Sequence, residues 1–390
     1  MITVDAALDH LFALSAPLAV ETVPLTRAFG RNLARDVTAT RDQPPFAASA
    51  MDGYAVCRAD VRPGIVLQVI GEAAAGHALA TAVKPGEAAR IFTGAPLPAG
   101  ADHVVIQEDV TRAGDMITLG SDLETKPYVR PAGADFRIGD QIKAPRVLSA
   151  ADIALLASMN IAQVPVSRRP VVAIIATGDE LVQPGETPDP DQIIASNSFG
   201  LAALVQSLGA HPRLLPIARD NIPALELAFD LAGDADLIVT IGGASVGDHD
   251  LVGQVAQSKG MQQAFYKIAM RPGKPLMAGR MGTAVMIGLP GNPVSAMVCG
   301  HVFLAPVIRH MLGQDPTPAP RQSAVLAAQV GPNGSREHYT RARLGPDGVT
   351  VFERQDSALL TVLADANCLA IRPINDPARA AGDKIQIIPL

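Results

Sequence analysis

Tryptophan is absent from this 390-residue sequence, and the aromatic residues together make up only 4%. So little ring surface excludes the stacking platforms used by single-strand nucleic acid binders and by carbohydrate binders. Charge is thin as well, 18% of residues against an ordinary share of about 25%. With a formal net charge of −6, the chain has no general attraction for nucleic acid or acidic lipid. Any anionic ligand must therefore be met by local groups of Lys, Arg and backbone N–H. Cysteine is scarce: Cys57, Cys299 and Cys368 are far apart, odd in number and without CxxC spacing. That excludes a disulfide framework and a thiolate zinc site, and it suits a reducing compartment. No run approaches ~18 uninterrupted apolar residues, so no membrane span is expected. Asp5 and Asp9 stand where a signal peptide would be positive, and the expected location is cytoplasmic.

What is plentiful is glycine (34) and proline (32) beside 48% hydrophobic residues. This composition excludes disorder, and the absence of a Gly-X-Y period excludes a collagen-like chain. It suits a chain of several cores joined by tight turns, two to four domains by length. Val4, Ala7, Leu8, Leu11 and Phe12 recur at helical spacing behind a Thr3 or Asp5 cap. An extended stretch over 19–23 and a helical turn near 25–29 follow. Between 50 and 137, short apolar runs (53–56, 65–70, 88–92, 104–108, 116–119) alternate with Gly and Pro, the pattern of a small β-rich module. A helix over 150–159 and an extended 161–166 lead to the linker Arg168-Arg169-Pro170.

Beyond that linker the grammar becomes β-α-β. Strands over 171–176, 213–217, 237–241, 264–268 and 284–287 alternate with helices over 198–208, 222–231 and 294 to about 312. This predicts a mostly parallel, doubly wound sheet with ligands at the strand C-termini. Pro316, Pro318 and Pro320 mark a second linker. The runs 323–329, 339–344, 349–352, 368–371 and 384–388 then predict a small C-terminal β-barrel.

The chemistry concentrates in the loops after the α/β strands. Thr177-Gly178-Asp179-Glu180, Asp220 and Ser245-Val246-Gly247-Asp248-His249-Asp250 all follow strands and would converge on one crevice. One such Asp is as easily a helix cap or turn residue, but the cluster favours Mg²⁺ and a phosphate ligand. Gly242-Gly243 begins a glycine-rich turn whose N–H groups can approach an anion. It is neither a Walker A loop nor the GxGxxG dinucleotide fingerprint. Lys267, Arg271 and Lys274 gather three cations in a loop stiffened by Pro272, Gly273 and Pro275. Gly288-Leu289-Pro290-Gly291-Asn292-Pro293 opens a helix, with Pro293 near its first position. Ser49-Ala50-Met51-Asp52-Gly53-Tyr54 and Thr93-Gly94-Ala95-Pro96-Leu97-Pro98 read by themselves as a hairpin turn and a rigid loop.

Taken in order, SAMDGYA, TGAPLPAGAD, ATGDEL, GGASVGDHD, MRPGKP and GLPGNP resemble the MoeA/gephyrin E-domain family over nearly the whole chain. The resemblance implies a molybdopterin molybdenumtransferase that inserts molybdate into adenylylated molybdopterin and releases AMP with Mg²⁺. It implies an elongated homodimer whose protomers divide into an N-terminal dimerisation region (1–45 and 137–168), an inserted β-rich module (46–136), a three-layer α/β molybdopterin-binding domain (169–315) and a C-terminal β-barrel (316–390). The active site would lie between protomers. Asp52, Thr93, Glu180, Asp220, Asp250, Lys267 and Arg271 resemble the catalytic residues, with Glu180, Asp220 and Asp250 holding the metal. Thr177, Gly178, Ser196, Asn197, Gly242, Gly243, Ser245, Gly247, Pro290, Asn292 and Pro293 match substrate-binding positions. Lys274, Pro275, Arg341 and Ser357 match the molybdate site. Arg271 stands where many members carry Lys, and His249 where Glu-Tyr or Glu-Ala is frequent. Contact with the adenylylating enzyme and with molybdoenzyme chaperones is implied too, and neither nucleic acid nor membrane. Two alternatives share the fold: a molybdopterin adenylyltransferase-like enzyme, against which the extra N- and C-terminal modules speak, and a non-catalytic scaffold, which would not need the acidic and basic cluster.

Overall fold

The computed structural model describes residues 1–243 and 251–390. The chain forms two compact units, one of residues 1–21, 30–34 and 166–390, the other of residues 22–29 and 35–165.

The larger unit is built on a six-stranded sheet in the order His211–Leu214, Val171–Ala176, Leu237–Ile241, Ala284–Leu289, Met277–Met281, Gln262–Tyr266. The first four strands run parallel; Met277–Met281 runs against them, and Gln262–Tyr266, antiparallel to it, returns to their direction. Leu237–Ile241 is buried at every position, as a central strand covered on both faces must be. Alternate residues of its neighbour divide between two cores. Val172 and Ile174 join the core of the helices Val4–Leu14, Asn197–Ser207 and Pro293–Cys299; Ala173 and Ile175 join that of Ile222–Leu231 and Leu251–Ser258. The result is three layers. Met277–Met281 is a strand without a sequence signal of its own: Met-Ala-Gly-Arg-Met has no β-branched residue, and pairing on both sides makes it one.

The helix expected from 294 to about 312 is interrupted. Pro293–Cys299 and Ala305–Met311 are α-helical, and Gly300–Leu304 between them is a π turn in which Ala305 N–H donates to the Gly300 carbonyl. Pro306 supplies the reason: it has no N–H for Val302, and its ring would strike that carbonyl, so the helix widens by one residue. The run Pro293–Met311 is long and apolar enough in composition to cross a membrane, but 78% of its apolar window is buried inside the protein, where it serves as a core helix.

The C-terminal part of this unit is a sheet in the order Met270–Arg271, Glu337–Gly345, Cys368–Arg372, Lys384–Pro389, Gln322–Val325, with Gly348–Val351 also paired to Glu337–Gly345. Leu326, Ala342, Val349, Cys368, Ala370, Ile385 and Ile387 form its own small core. Met270–Arg271, from the basic loop of the α/β region, is an edge strand of this sheet.

The smaller unit holds the sheet His103–Ile106, Gly53–Val56, Glu87–Ile91, Val66–Ala73, Met116–Leu119, Val110–Ala113. Tyr54 and Val56 face one core, Ala55 and Ala89 another. Asp52-Gly53 is not a hairpin turn here. Gly53 opens a strand, and a Cβ on it would lie 2.0 Å from the Val105 carbonyl oxygen, so the adjacent strand leaves room for no other residue. The helix Ala150–Ser158 begins with a full capping box between Ser149 and Asp152.

Candidate active site

A cleft of about 610 Å³ opens in the larger unit at the C-terminal ends of the four parallel strands. Each strand exit contributes to its wall: Thr177, Gly178 and Glu180 from the first; Asp220; Gly242 and Gly243; and Pro290, Gly291, Asn292 and Pro293. Ser196 and Asn197 enter from the head of the helix Asn197–Ser207, and Pro275 and Ala358 complete the lining. Hydrogen bonds tie the exits together. Thr177 N–H donates to the Ile241 carbonyl (3.0 Å) and Gly178 N–H to the Ala218 carbonyl (3.1 Å). Asn197 Nδ2 donates to the Gly291 carbonyl at 2.7 Å. Gly178 has φ +147°, a backbone conformation that residues with a side chain rarely adopt, and the Glu180 carboxylate lies over its Cα.

One side of this cleft is short of positive charge. Burial, then the carboxylates of Asp179 and Glu180, push the Asp220 carboxyl above the usual carboxylate range. Asp220 N–H donates to Asp179 Oδ1 (3.1 Å), while the Arg219 guanidinium is turned to backbone, with Nη1 donating to the Asp179 carbonyl (2.6 Å). Repelling carboxylates of this kind suit a hard cation with oxygen ligands. Among the described residues, no three His, Cys, Asp or Glu side chains gather as a metal cage. Ser245, Gly247, His249 and Asp250 lie outside the described residues.

The basic loop stands beside the cleft: Pro275 lines it, whereas Lys267, Arg271 and Lys274 do not. The loop is braced on two sides. Ile2 N–H donates to the Lys267 carbonyl and Ala269 N–H to the Ile2 carbonyl, and Arg271 pairs with His338 of the C-terminal sheet. Lys267 has φ +78°, a left-handed conformation rare for a side-chain-bearing residue. Arg341 is fully buried. Its Nη2 donates to the Arg354 carbonyl (3.3 Å), but its Nε is buried without a partner. Burial lowers its pKa; the Asp356 carboxylate works against that shift and the nearby Arg271 adds to it. The Ser357 carbonyl accepts from Val294 N–H (3.0 Å) and sets its neighbour Ala358 into the cleft wall.

Asp52 and Thr93 belong to the smaller unit and form one group. Asp52 Oδ1 accepts from Thr93 N–H (2.7 Å) and Thr93 Oγ1 (2.8 Å), and these two bonds hold its carboxyl below the usual range. Read from the residues alone, the two separate into a turn and a loop. Sequence reasoning also passes over Ile193 and Ile194, which line the cleft and are 58% and 38% exposed. They pair in parallel with Leu181–Val182. Two apolar residues after a Pro- and Gly-rich stretch carry no periodic signal, so pattern alone could not find them.

Family models match along the chain. One described as the MoeA N-terminal region (domain I and II) covers residues 2–160, a probable molybdopterin binding domain covers 173–310, and the MoeA C-terminal region (domain IV) covers 323–390. The molybdopterin molybdenumtransferase of Nostoc sp. (strain PCC 7120) is 38% identical over 386 residues, spanning 95% of this chain and 88% of its own. The molybdopterin molybdenumtransferase of Haemophilus influenzae is 34% identical, spanning 100% and 98%. The crystal structure of the molybdopterin biosynthesis MoeA protein from Pyrococcus horikoshii OT3 is similar with a TM-score of 0.86 at 25% identity, covering 100% of both chains. The chain belongs to the MoeA family.

Proposed function

We infer that this chain is a molybdopterin molybdenumtransferase, inserting molybdate into adenylylated molybdopterin with release of AMP. The observation that carries the reading is a full-length likeness to enzymes of that name, in a chain whose cleft places Glu180 and Asp220 beside a glycine-lined wall. The substrate is anionic at its phosphates and dithiolene, and molybdate is a dianion. Their repulsion must be offset for them to meet. Lys267, Arg271 and Lys274 supply cations in a loop pinned by Ile2 and by the C-terminal sheet, so little ordering is needed on binding. The unpaired Nε of Arg341 offers a buried donor to an oxyanion, with Pro275 and Ser357 completing the molybdate site. Thr177, Gly178, Ser196, Asn197, Gly242, Gly243, Pro290, Asn292 and Pro293 orient the pterin nucleotide, and Ser245 and Gly247 are assigned with them.

Glu180 and Asp220 fit Mg²⁺, because the raised Asp220 carboxyl marks a place where a cation relieves repulsion. Asp250 is assigned as a third ligand. Bound there, Mg²⁺ supplies Lewis-acid polarisation of the phosphoanhydride between pterin and AMP.

The wider assignments belong to the same reading. The protein works as a cytoplasmic homodimer, with Asp52 and Thr93 of one copy meeting the cleft of the other. In support, the pair is exposed and already hydrogen-bonded. Its parts are the N-terminal dimerisation region, the inserted β-module, the α/β domain and a C-terminal sheet closing as a small barrel. The adenylylating enzyme and molybdoenzyme chaperones are its proposed partners. The test incubates the protein with adenylylated molybdopterin, Mg²⁺ and molybdate. Molybdate-dependent release of AMP with formation of molybdenum cofactor is expected. Binding without AMP release would leave only a scaffold.

A further inference from the structure

Arg90 sits on the strand Glu87–Ile91, where Ala88, Ala89 and Ile91 are buried, directly across from Tyr54 on the strand Gly53–Val56. Its guanidinium carbon lies 5.3 Å from the Tyr54 ring centroid and 4.6 Å from that of Phe92. Its Nη1 donates to the Gly53 carbonyl (2.9 Å) and its Nη2 to Gln107 Oε1 (2.7 Å). Gln107 N–H in turn donates to the carbonyl of Asp52 (3.1 Å). Three of these four contacts reach a neighbour of the Asp52–Thr93 pair: Gly53 follows Asp52, Phe92 precedes Thr93, and Gln107 holds the Asp52 peptide. Among the described residues Arg90 makes no ion pair, although Glu72 is its register partner on the other side and Glu108 follows Gln107. Its charge also acts on the Asp52 carboxyl through space, in the same direction as the two stronger Thr93 bonds, but its direct contacts are with the frame around the pair.

We propose that Arg90 is a positioning residue of the transfer reaction, a planar fork in cation–π contact with two rings that fixes the backbone around Asp52 and Thr93 and thereby aims their side chains. This rests on the reading that Asp52 acts in the reaction. Lysine cannot reproduce the role in full, because it offers a point charge in place of two divergent donors and a stacking plane.

The charged groups around the site are Asp52, Glu72 and Glu108, with Tyr54 against the guanidinium. The Thr93 amide donates to Asp52, so its ¹⁵N shift reports the Asp52 titration without reference to activity. Loss of the Arg90 charge by itself raises that midpoint, so the deciding variant is Arg90→Lys, which keeps the charge: its midpoint is expected to lie above wild type, with Arg90→Met higher still, and a wild-type midpoint in Arg90→Lys overturns the proposal. In AMP-release kinetics, Arg90→Met is expected to lower kcat about tenfold or more, with KM for adenylylated molybdopterin within about twofold of wild type. Arg90→Lys should recover part of the loss, and it keeps the test usable if the Met variant fails to fold. The double variant Asp52→Asn, Arg90→Met should be no slower than Asp52→Asn alone. Additive losses would overturn the proposal. Full turnover by Asp52→Asn together with a shifted Thr93 titration would uphold the placement of Asp52 by Arg90 and remove Asp52 from the reaction.

Discussion

Lys267 holds a left-handed backbone at φ +78° where glycine would be more comfortable, within a loop whose charge the proposed reaction needs. Stability and function therefore pull apart at this residue. Lys267→Gly should stabilise the fold by about 1 kcal/mol, the scale of the left-handed penalty, while AMP release falls; denaturant melts and turnover measured together check both halves. Asp220 shows the same conflict in its electrostatics. Its folded pKa is raised by burial, Asp179 and Glu180, so its ionised form weighs against folding at neutral pH, and the cost disappears as pH falls through the folded pKa. Asp220→Asn is accordingly expected to melt no lower than wild type, with any change within about 0.5 kcal/mol, yet to lose AMP release. A clear drop in melting temperature would give Asp220 a structural role instead.

The pair Leu181–Val182 and Ile193–Ile194 is the least regular element of the cleft, two short strands joined by a loop of mostly exposed residues. Ile193 lines the cleft and is more than half exposed, an apolar surface that a bound ligand would cover. Ile193→Ser should raise KM for adenylylated molybdopterin about fivefold or more, the scale of removing one apolar group from a binding wall, with kcat and stability nearly unchanged. Steady-state kinetics separate this from a folding defect. This element also marks where sequence reading stops. Val171–Ala176, Leu237–Ile241 and Ile222–Leu231 were legible to the residue, because apolar runs and a Pro at the helix start leave no other assignment. Thr177, Gly178, Glu180, Asp220, Gly242, Gly243 and the turn at Pro290, also named from the sequence, do line the cleft, while Ser245 to Asp250 lie outside the described residues. The Ile193–Ile194 strand, the helix Leu360–Asp365 with no capping side chain, and the π turn before Pro306 were not legible. The first two are defined by pairing or packing supplied from elsewhere in the chain; the third comes from Pro306, inside an apolar pattern that otherwise reads as one helix. Arg90 did leave a trace, a lone cation in an apolar strand, but its purpose becomes visible only when Gly53, Phe92 and Gln107 surround it.

Across the whole molecule, low charge and a large apolar content place ionisable groups inside the fold, and this fixes the acid behaviour. Burial, followed by the nearby Arg309, lowers His301 to about 4, against 6.5 for an exposed imidazole. Between those values the unfolded chain binds a proton that the folded chain does not, so stability falls as pH drops from about 6.5 towards 4. A shift of this size corresponds to about 3 kcal/mol. His338 adds to the same limb through burial and the surrounding Arg271, Arg341, Arg372 and Arg336. Urea melts at pH 7 and pH 4.5 should show the loss, and His301→Gln should reduce it. The central claim concerns where the substrate sits: on the exits of four parallel strands in the larger unit. Hydrogen–deuterium exchange of the full chain, with and without saturating adenylylated molybdopterin, tests it most directly. Slowed exchange at 176–180, 193–198, 218–220 and 290–293 is the predicted result; protection confined to other segments, with these four unchanged, would contradict it.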